Sequence, residues 1–184
     1  MIFLCLASCA NPGYVKKNRD HAETIEDLKS CDSDQICYEC LSYKPNRSHH
    51  CDICKKCVYV WDHHCAWINN CVGSFNHSHF ITFLFLASIL FLSTITMSVL
   101  IGLGITVNPK IWFLYDQEME YVYVYVLVIL GIFTLLNMFL FFQIFILLIT
   151  QMRFLSLGIT TIEAQISKNP SMQNSIDSRV NPQT

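Results

Sequence analysis

The sequence predicts an α-helical, polytopic membrane protein that carries a small Cys-rich module stapled by metal. Three observations predict it. Hydrophobic residues make up 53% of the 184 and charged residues 14%, against roughly 45–50% and 25% in an ordinary soluble chain. Two runs, 80–107 and 121–150, hold 28 and 30 residues without one charged side chain. Eight of the ten cysteines fall between Cys31 and Cys71, at spacings that repeat.

A bilayer core needs about 20 apolar residues in helix, so each run is long enough to span with some tilt. Core helices of soluble proteins do not stay uncharged on every face over such lengths. The segment 108–120 joins the two spans and sets Lys110 against Asp116, Glu118 and Glu120. Lys16, Lys17, Arg19, Lys29, Lys44, Arg47, Lys55 and Lys56 precede the first span, and Arg153 and Lys168 follow the second. Basic residues gather on the cytosolic side of membrane segments. This puts 11–79 and the tail 151–184 in the cytosol and 108–120 in the lumen or outside the cell. The net charge of −2 contains no basic block of the kind that binds nucleic acid.

Residues 1–10, MIFLCLASCA, are apolar from the first position and meet the turn signal Asn11-Pro12-Gly13. A secretory signal would begin with basic residues and carry a longer apolar core. The missing charge also counts against the lipoprotein-like box Leu6-Ala7-Ser8-Cys9. The stretch reads as the last two turns of another membrane helix, an N-terminal stub. A cytosolic linker then covers 11–36 and the Cys-rich module 37–79.

Ten cysteines in a small secreted chain would argue for disulfides, but these lie on the side assigned to the reducing cytosol. Their spacing argues for metal instead. Cys37-x2-Cys40-x9-His50-x6-Cys57 is a Cys3His set, and a shift of fourteen gives Cys51-x2-Cys54-x9-His64-x6-Cys71. Three thiolates and one imidazole close a tetrahedral zinc shell. The two sets interleave, because Cys51 and Cys54 precede Cys57, so two zinc sites must share backbone and fold together. Few core-sized apolar residues lie between them, so metal binding and folding are coupled. No helical or strand period persists here, which predicts turns and short hairpins.

The repeat also isolates what it does not use. Cys65 stands fourteen after Cys51, but a third set would need ligands at Ile68, Ser78 and Phe85. His63 and Asp62 likewise fall outside both sets. A thiol near an imidazole and a carboxylate is the equipment of nucleophilic thiol chemistry. Spacing alone leaves two readings open: a reactive Cys65, or an inert spare such as Cys31 in a purely structural zinc module.

At these residues the chain closely resembles the DHHC family of protein S-acyltransferases (palmitoyltransferases). The likeness rests on Asp62-His63-His64-Cys65, the Cys/His framework from Cys37 to Cys71, and Asn69-Asn70-Cys71-Val72-Gly73 followed by Asn76 and Phe80. It continues with the two spans and with Thr160-Thr161-Ile162-Glu163, similar to the family's TTxE motif. Asn11-Pro12-Gly13 resembles its DPG motif with Asn for Asp. The resemblance implies that Cys65 attacks a long-chain acyl-CoA such as palmitoyl-CoA. His63 would be general base, oriented by Asp62, and the acyl group would pass to cysteines of cytosol-facing proteins. It implies two structural zinc ions, with His64 a ligand, and Thr161 hydrogen-bonded near Asp62. It also implies a cavity for the acyl chain, with Trp67, Phe80 and Phe83 as candidate walls. Lys44, Arg47, Lys55 and Lys56 are candidates for the CoA phosphates. The expected location is an endomembrane (Golgi or ER) or the plasma membrane.

Two departures stand out. Typical members place two spans before the module, so the chain is expected to begin late in the second of them. Ala66 stands where a proline usually follows the nucleophile, and proline would restrict the backbone of Cys65. The tail after Glu163 is polar, contains Pro170 and Pro182, and is expected to be disordered. Asn137 and Gln143, polar within the second span, are expected to hydrogen-bond between helices. Two rival functions are a catalytically silent, membrane-anchored zinc adaptor and a RING-like ubiquitin ligase. The usual spacing of the latter has a longer gap after the first C-x2-C.

Overall fold

The computed structural model describes residues 2–16, 36–37, 39–40, 42–107 and 120–169. Cys31, most of the linker 11–36, the loop 108–119 and the tail from 170 onward lie outside them, as do the expectations placed there. The chain groups into two compact units, Met1–Phe83 with Gln151–Thr184, and Leu84–Thr150.

In the first unit the fourteen-residue repeat becomes a repeat of hairpins. β1 (Ile36–Cys37) pairs with β2 (Ser42–Tyr43), β3 (His49–Cys51) with β4 (Lys56–Val58), and β5 (His63–Cys65) with β6 (Asn70–Val72), all antiparallel. Corresponding cross-strand partners are fourteen residues apart: His50 faces Cys57 as His64 faces Cys71, and Cys51 faces Lys56 as Cys65 faces Asn70. Two of the four left-handed non-glycine residues among those described obey the step as well. Lys55 (φ 54°) and Asn69 (φ 48°) each end the four-residue loop of their hairpin. Strands of two or three residues cannot hold a sheet by themselves. The buried interior is made largely of the cysteines, Cys37, Cys40 and Cys57 beside Val15, and Cys51, Val58 and Cys71 beside Tyr14 and Trp61.

The segment after α1 (Ile2–Cys9) lies along β4. Tyr14 bridges to Val58, the Val15 N–H donates to the Cys57 carbonyl at 2.9 Å, and the Tyr59 N–H donates to the Gly13 carbonyl at 2.8 Å. Asn11 turns the chain into this path: its Oδ1 accepts the N–H groups of Gly13 and Tyr14, both at 2.9 Å. An amide oxygen makes this Asx turn as a carboxylate would. Gly73 permits the approach, because a Cβ there would fall 2.5 Å from both the Pro12 carbonyl oxygen and Val58 Cγ1. Asn70 and Asn76 close the C-terminal end of α1. Asn70 Nδ2 donates to the carbonyls of Ser8 (3.0 Å) and Ala10 (2.9 Å), and Asn76 Nδ2 to that of Ala7 (3.2 Å). These satisfy the carbonyls that every helix end leaves without intrahelical partners.

Two long helices follow, α2 (His77–Val107) and α3 (Glu120–Leu157). They begin three residues before 80 and run seven past 150, because helical geometry continues through polar residues that end the apolar runs. Both contain stretches long and apolar enough to cross a membrane, His77–Gly104 and Val124–Leu157. Only 22% and 11% of their most apolar windows are buried, unlike core helices of a soluble protein. Within the second unit the Ser98 and Thr134 hydroxyls lie 2.9 Å apart, and the Thr94 hydroxyl lies 3.1 Å from Asn137 Oδ1. Asn137 thus meets the neighbouring helix as expected. Gln143 is exposed and has no such partner among the described residues, because a helix apolar on all sides leaves its rotation undetermined by composition.

α3 ends at Gly158, whose φ of +67° and N–H bond to the Leu155 carbonyl (3.1 Å) form a left-handed helix stop. The chain then enters α4 (Thr161–Lys168) through a capping box: the Glu163 N–H donates to Thr160 Oγ1, and the Thr160 N–H donates to the Glu163 carboxylate.

Candidate functional site

The hairpins bring the two predicted ligand sets together. Cys37, Cys40, His50 and Cys57 form one cluster, and Cys51, Cys54, His64 and Cys71 the other, with the ligand atoms of each set within 4.8 Å of one another. In the first, His50 Nδ1 lies 3.5, 3.2 and 3.9 Å from the sulfurs of Cys37, Cys40 and Cys57. In the second, His64 Nδ1 lies 3.7, 3.4 and 3.7 Å from those of Cys51, Cys54 and Cys71. Tetrahedral zinc with bonds of about 2.0–2.3 Å separates its ligands by about 3.5–3.8 Å. Both clusters fit such an ion: three thiols and one imidazole, at the right spacing, converge on each centre.

Cys65, His63 and Asp62 stand beside the second cluster without joining it. Cys65 holds in its hairpin the position that Cys51 holds in the preceding one. Cys51 Sγ receives the N–H of Cys54 at 3.4 Å. At Cys65 the backbone N–H groups of Trp67 and of Ile68, which stands fourteen after Cys54, lie beside the sulfur. The sulfur therefore keeps the backbone donors of a metal knuckle, while Ile68 replaces the second thiol. Burial alone would raise the Cys65 pKa, but His63 and these N–H groups beside the sulfur outweigh it and lower the pKa.

His63 Nδ1 lies 2.7 Å from Asp62 Oδ2. The Asp62 carboxylate only accepts, so Nδ1 carries the proton and Nε2 is left for the thiol. Burial disfavours the imidazolium, but Asp62 and Cys65 beside it raise the His63 pKa to about 9. Burial also works against the charge on Asp62. Hydrogen bonds from His63 and Thr161 reverse that effect and hold its pKa at about 2. Phe80 packs on the His63 ring in a T-shaped pair, at 5.5 Å between centroids.

The buried carboxylate is held from the far end of the chain. Thr161 donates its N–H to Asp62 Oδ1 at 2.6 Å and its hydroxyl to Oδ2 at 2.8 Å. Gln151 Nε2 reaches Oδ2 at 3.0 Å. Arg47 binds Glu163 through two nitrogens, at 2.6 and 2.8 Å, and the Gly158 carbonyl at 2.9 Å. TTIE thus divides its work: Thr160 caps α4, Thr161 fixes Asp62, and Glu163 anchors Arg47. Gln151 was absent from the sequence reading, since an uncharged amide at the edge of an apolar run has no pattern that separates it from a membrane-surface residue.

The proposed acyl-chain residues are dispersed in exposure. Trp67 is 85% exposed at the tip of its hairpin, Phe83 is half-buried, and Phe80 is buried against His63. Of the basic candidates, Arg47 is engaged by Glu163, and Lys56 Nζ sits 4.6 Å over the Tyr14 ring. Lys55 is exposed.

The family model for DHHC palmitoyltransferases matches residues 30–168. Palmitoyltransferase ZDHHC7 of Rattus norvegicus is 33% identical over 187 residues, covering 94% of this chain and 58% of that protein. Palmitoyltransferase ZDHHC3-A of Danio rerio is 40% identical over 106 residues (54% of this chain, 34% of that protein). Palmitoyltransferase ZDHHC16A of Danio rerio is 60% identical over 72 residues (39% and 16%). The chain spans about a third of the length of the ZDHHC3 proteins that it matches.

Proposed function

The chain belongs to the DHHC palmitoyltransferase family, and from that premise we propose that it is a membrane protein S-acyltransferase. It moves a long-chain acyl group, such as palmitoyl, from acyl-CoA to cysteines of cytosol-facing proteins through an acyl-Cys65 intermediate. The observation that carries this reading is that Asp62, hydrogen-bonded to His63, and His63, beside Cys65, are side chains that neither metal cluster uses.

In the first half-reaction the Cys65 proton rests on His63 Nε2, whose pKa is raised, and the thiolate adds to the thioester carbonyl carbon. Collapse of that adduct breaks the bond to the CoA sulfur, and CoA leaves with the proton returned by His63. In the second half-reaction His63 takes the proton of a target cysteine, whose sulfur attacks the acyl-Cys65 carbonyl. The Cys65 sulfur departs and is reprotonated. Asp62 remains ionised, holds the His63 Nδ1–H and offsets the imidazolium that forms. Zinc, held by Cys37, Cys40, His50 and Cys57 and by Cys51, Cys54, His64 and Cys71, would supply structural cross-links; four protein ligands leave no open position.

We further propose that α2 and α3 cross the bilayer, with the module 37–79 and the segment 151–184 cytosolic and 108–120 on the opposite side, in an endomembrane or the plasma membrane. A long acyl chain gains about 0.8 kcal/mol for each methylene buried, so it stays in the lipid while CoA stays in water. Trp67, Phe80 and Phe83 are the proposed acyl-side residues. Incubating the membrane-embedded protein with labelled palmitoyl-CoA tests the reading. A hydroxylamine-sensitive label that vanishes in Cys65→Ser, at two zinc per chain, is expected. Unlabelled but zinc-loaded wild-type protein would favour the silent adaptor.

A further inference from the structure

Beyond Asp62 the hydrogen-bonded line continues. Gln151 is 2% exposed. Its Nε2 lies 3.0 Å from Asp62 Oδ2 and 3.1 Å from Thr161 Oγ1, and its Oε1 lies 3.1 Å from His77 Nε2. A buried amide between three polar groups has two possible orientations, and the chemistry of its neighbours selects one. Asp62, ionised, can only accept, so the NH2 of Gln151 must face it and the carbonyl must face His77. The His77 nitrogen opposite that carbonyl must then be a donor. Donor direction therefore runs one way: His77 Nε2–H to Gln151 Oε1, and Gln151 Nε2–H to Asp62 Oδ2. His63 Nδ1–H donates to the same oxygen, which leaves His63 Nε2 to share a proton with the Cys65 sulfur.

Four donors converge on Asp62: the Thr161 N–H on Oδ1, and His63, the Thr161 hydroxyl and Gln151 on Oδ2. That number matches the roughly four acceptor sites of a carboxylate. Three of them crowd onto Oδ2 and one falls on Oδ1, so the carboxylate is pinned from both oxygens and each donor lost loosens its orientation. Gln151 is the one of these that is itself oriented from outside the cluster, by a residue at the start of α2.

We infer that Gln151 and His77 are positioning residues for the thiol-activating pair: His77 sets the Gln151 amide, and the amide sets the carboxylate that aims His63 at Cys65. The assignment rests on the S-acyltransferase reading for its biological use. The geometry can be tested without acyl-CoA, through the rate at which iodoacetamide alkylates Cys65, followed by peptide mass spectrometry of the full chain.

Gln151→Leu keeps a side chain of similar size without the donor. It is expected to slow Cys65 alkylation at neutral pH by about tenfold, a fraction of what a well-placed general base contributes, with zinc unchanged at two per chain. His77→Phe is expected to slow it by a smaller factor. His77→Gln, whose amide presents an N–H near the lost Nε2–H, is expected to recover most of the rate. Rescue by glutamine and not by phenylalanine is a result that simple packing would not produce. Wild-type alkylation rates in both Gln151→Leu and His77→Phe, with zinc retained, would overturn the inference. So would equal slowing in His77→Phe and His77→Gln. If Gln151→Leu loses zinc, the His77 pair decides by the same criteria. If wild-type protein alkylates normally but takes no label from palmitoyl-CoA, the acyltransferase reading fails while the positioning roles stand.

Discussion

Thr161 holds Asp62 with two donors across 99 residues of sequence: its N–H meets one carboxylate oxygen at 2.6 Å and its hydroxyl meets the other at 2.8 Å. Thr161→Val keeps the shape and the N–H but removes the hydroxyl, whereas Thr161→Ser keeps both donors. A hydrogen bond to a charged group contributes about 1.5–3 kcal/mol. Autoacylation with labelled palmitoyl-CoA should therefore fall about tenfold or more in the valine variant and stay near wild type in the serine variant. Equal rates would show that the hydroxyl is dispensable.

The two adjacent histidines should separate cleanly. His64 Nδ1 faces three sulfurs, while His63 Nδ1 faces Asp62. His64→Ala should release one zinc per chain by elemental analysis and lower the thermal midpoint. His63→Ala should retain both zinc ions and slow Cys65 labelling. Loss of zinc from both variants would break this division.

Cys65 alkylation should respond to pH in a specific direction. Burial opposes the thiolate, but His63 and two backbone N–H groups lower the thiol pKa below its ordinary value. The thiolate forms as pH rises through that pKa, so the rate should climb at lower pH than for an ordinary thiol, near 8.5. In His63→Ala, where burial loses its main opponent, the whole profile should move to higher pH. An unmoved profile would remove His63 from thiol activation.

Gly73→Ala should destabilise the module, because the added methyl would sit 2.5 Å from the Pro12 carbonyl oxygen and Val58 Cγ1. Overpacking of this kind costs about 1–3 kcal/mol. A lower thermal midpoint is expected, with Val72→Ile as a control for added volume nearby. An unchanged midpoint would mean that the Pro12 segment moves aside freely.

The ion pair of Arg47 and Glu163 should matter less for stability than its geometry suggests. Its two short bonds join side chains that are 45% and 26% exposed, and exposed pairs contribute about 0.2–1 kcal/mol. Arg47→Lys should lower stability within that range in chemical denaturation. A larger loss would assign the pair a role in holding α4.

Sequence legibility followed how strictly the chemistry constrains residue type. Metal ligation demands Cys or His, so a repeat of ligands separated eight residues into two sets that also cluster in space. The same subtraction left Asp62, His63 and Cys65, which the fold brings together. Hydrogen-bond positioning makes no such demand. Gln151 and His77 could be exchanged for many polar residues without altering any visible pattern, so nothing marked them. The rotation of the apolar helices was equally hidden: Asn137 found a partner and Gln143 did not, though both are lone polar side chains in uncharged runs. Arg47 looked like one more surface cation because its partner lies 116 residues away.

That long reach has a consequence for the order in which a newly made chain matures. Both sets of metal ligands are complete once Cys71 has been synthesised, but Gln151 and Thr161 arrive 80 and 90 residues later. A growing chain can therefore become metal-loaded while its Asp62 carboxylate is still under-coordinated. A stalled product ending at Thr150 should take up two zinc ions yet show slow Cys65 alkylation; wild-type reactivity in that product would refute the ordering. If the positioning roles hold, translation would delay arming of the thiol until both long helices have been made.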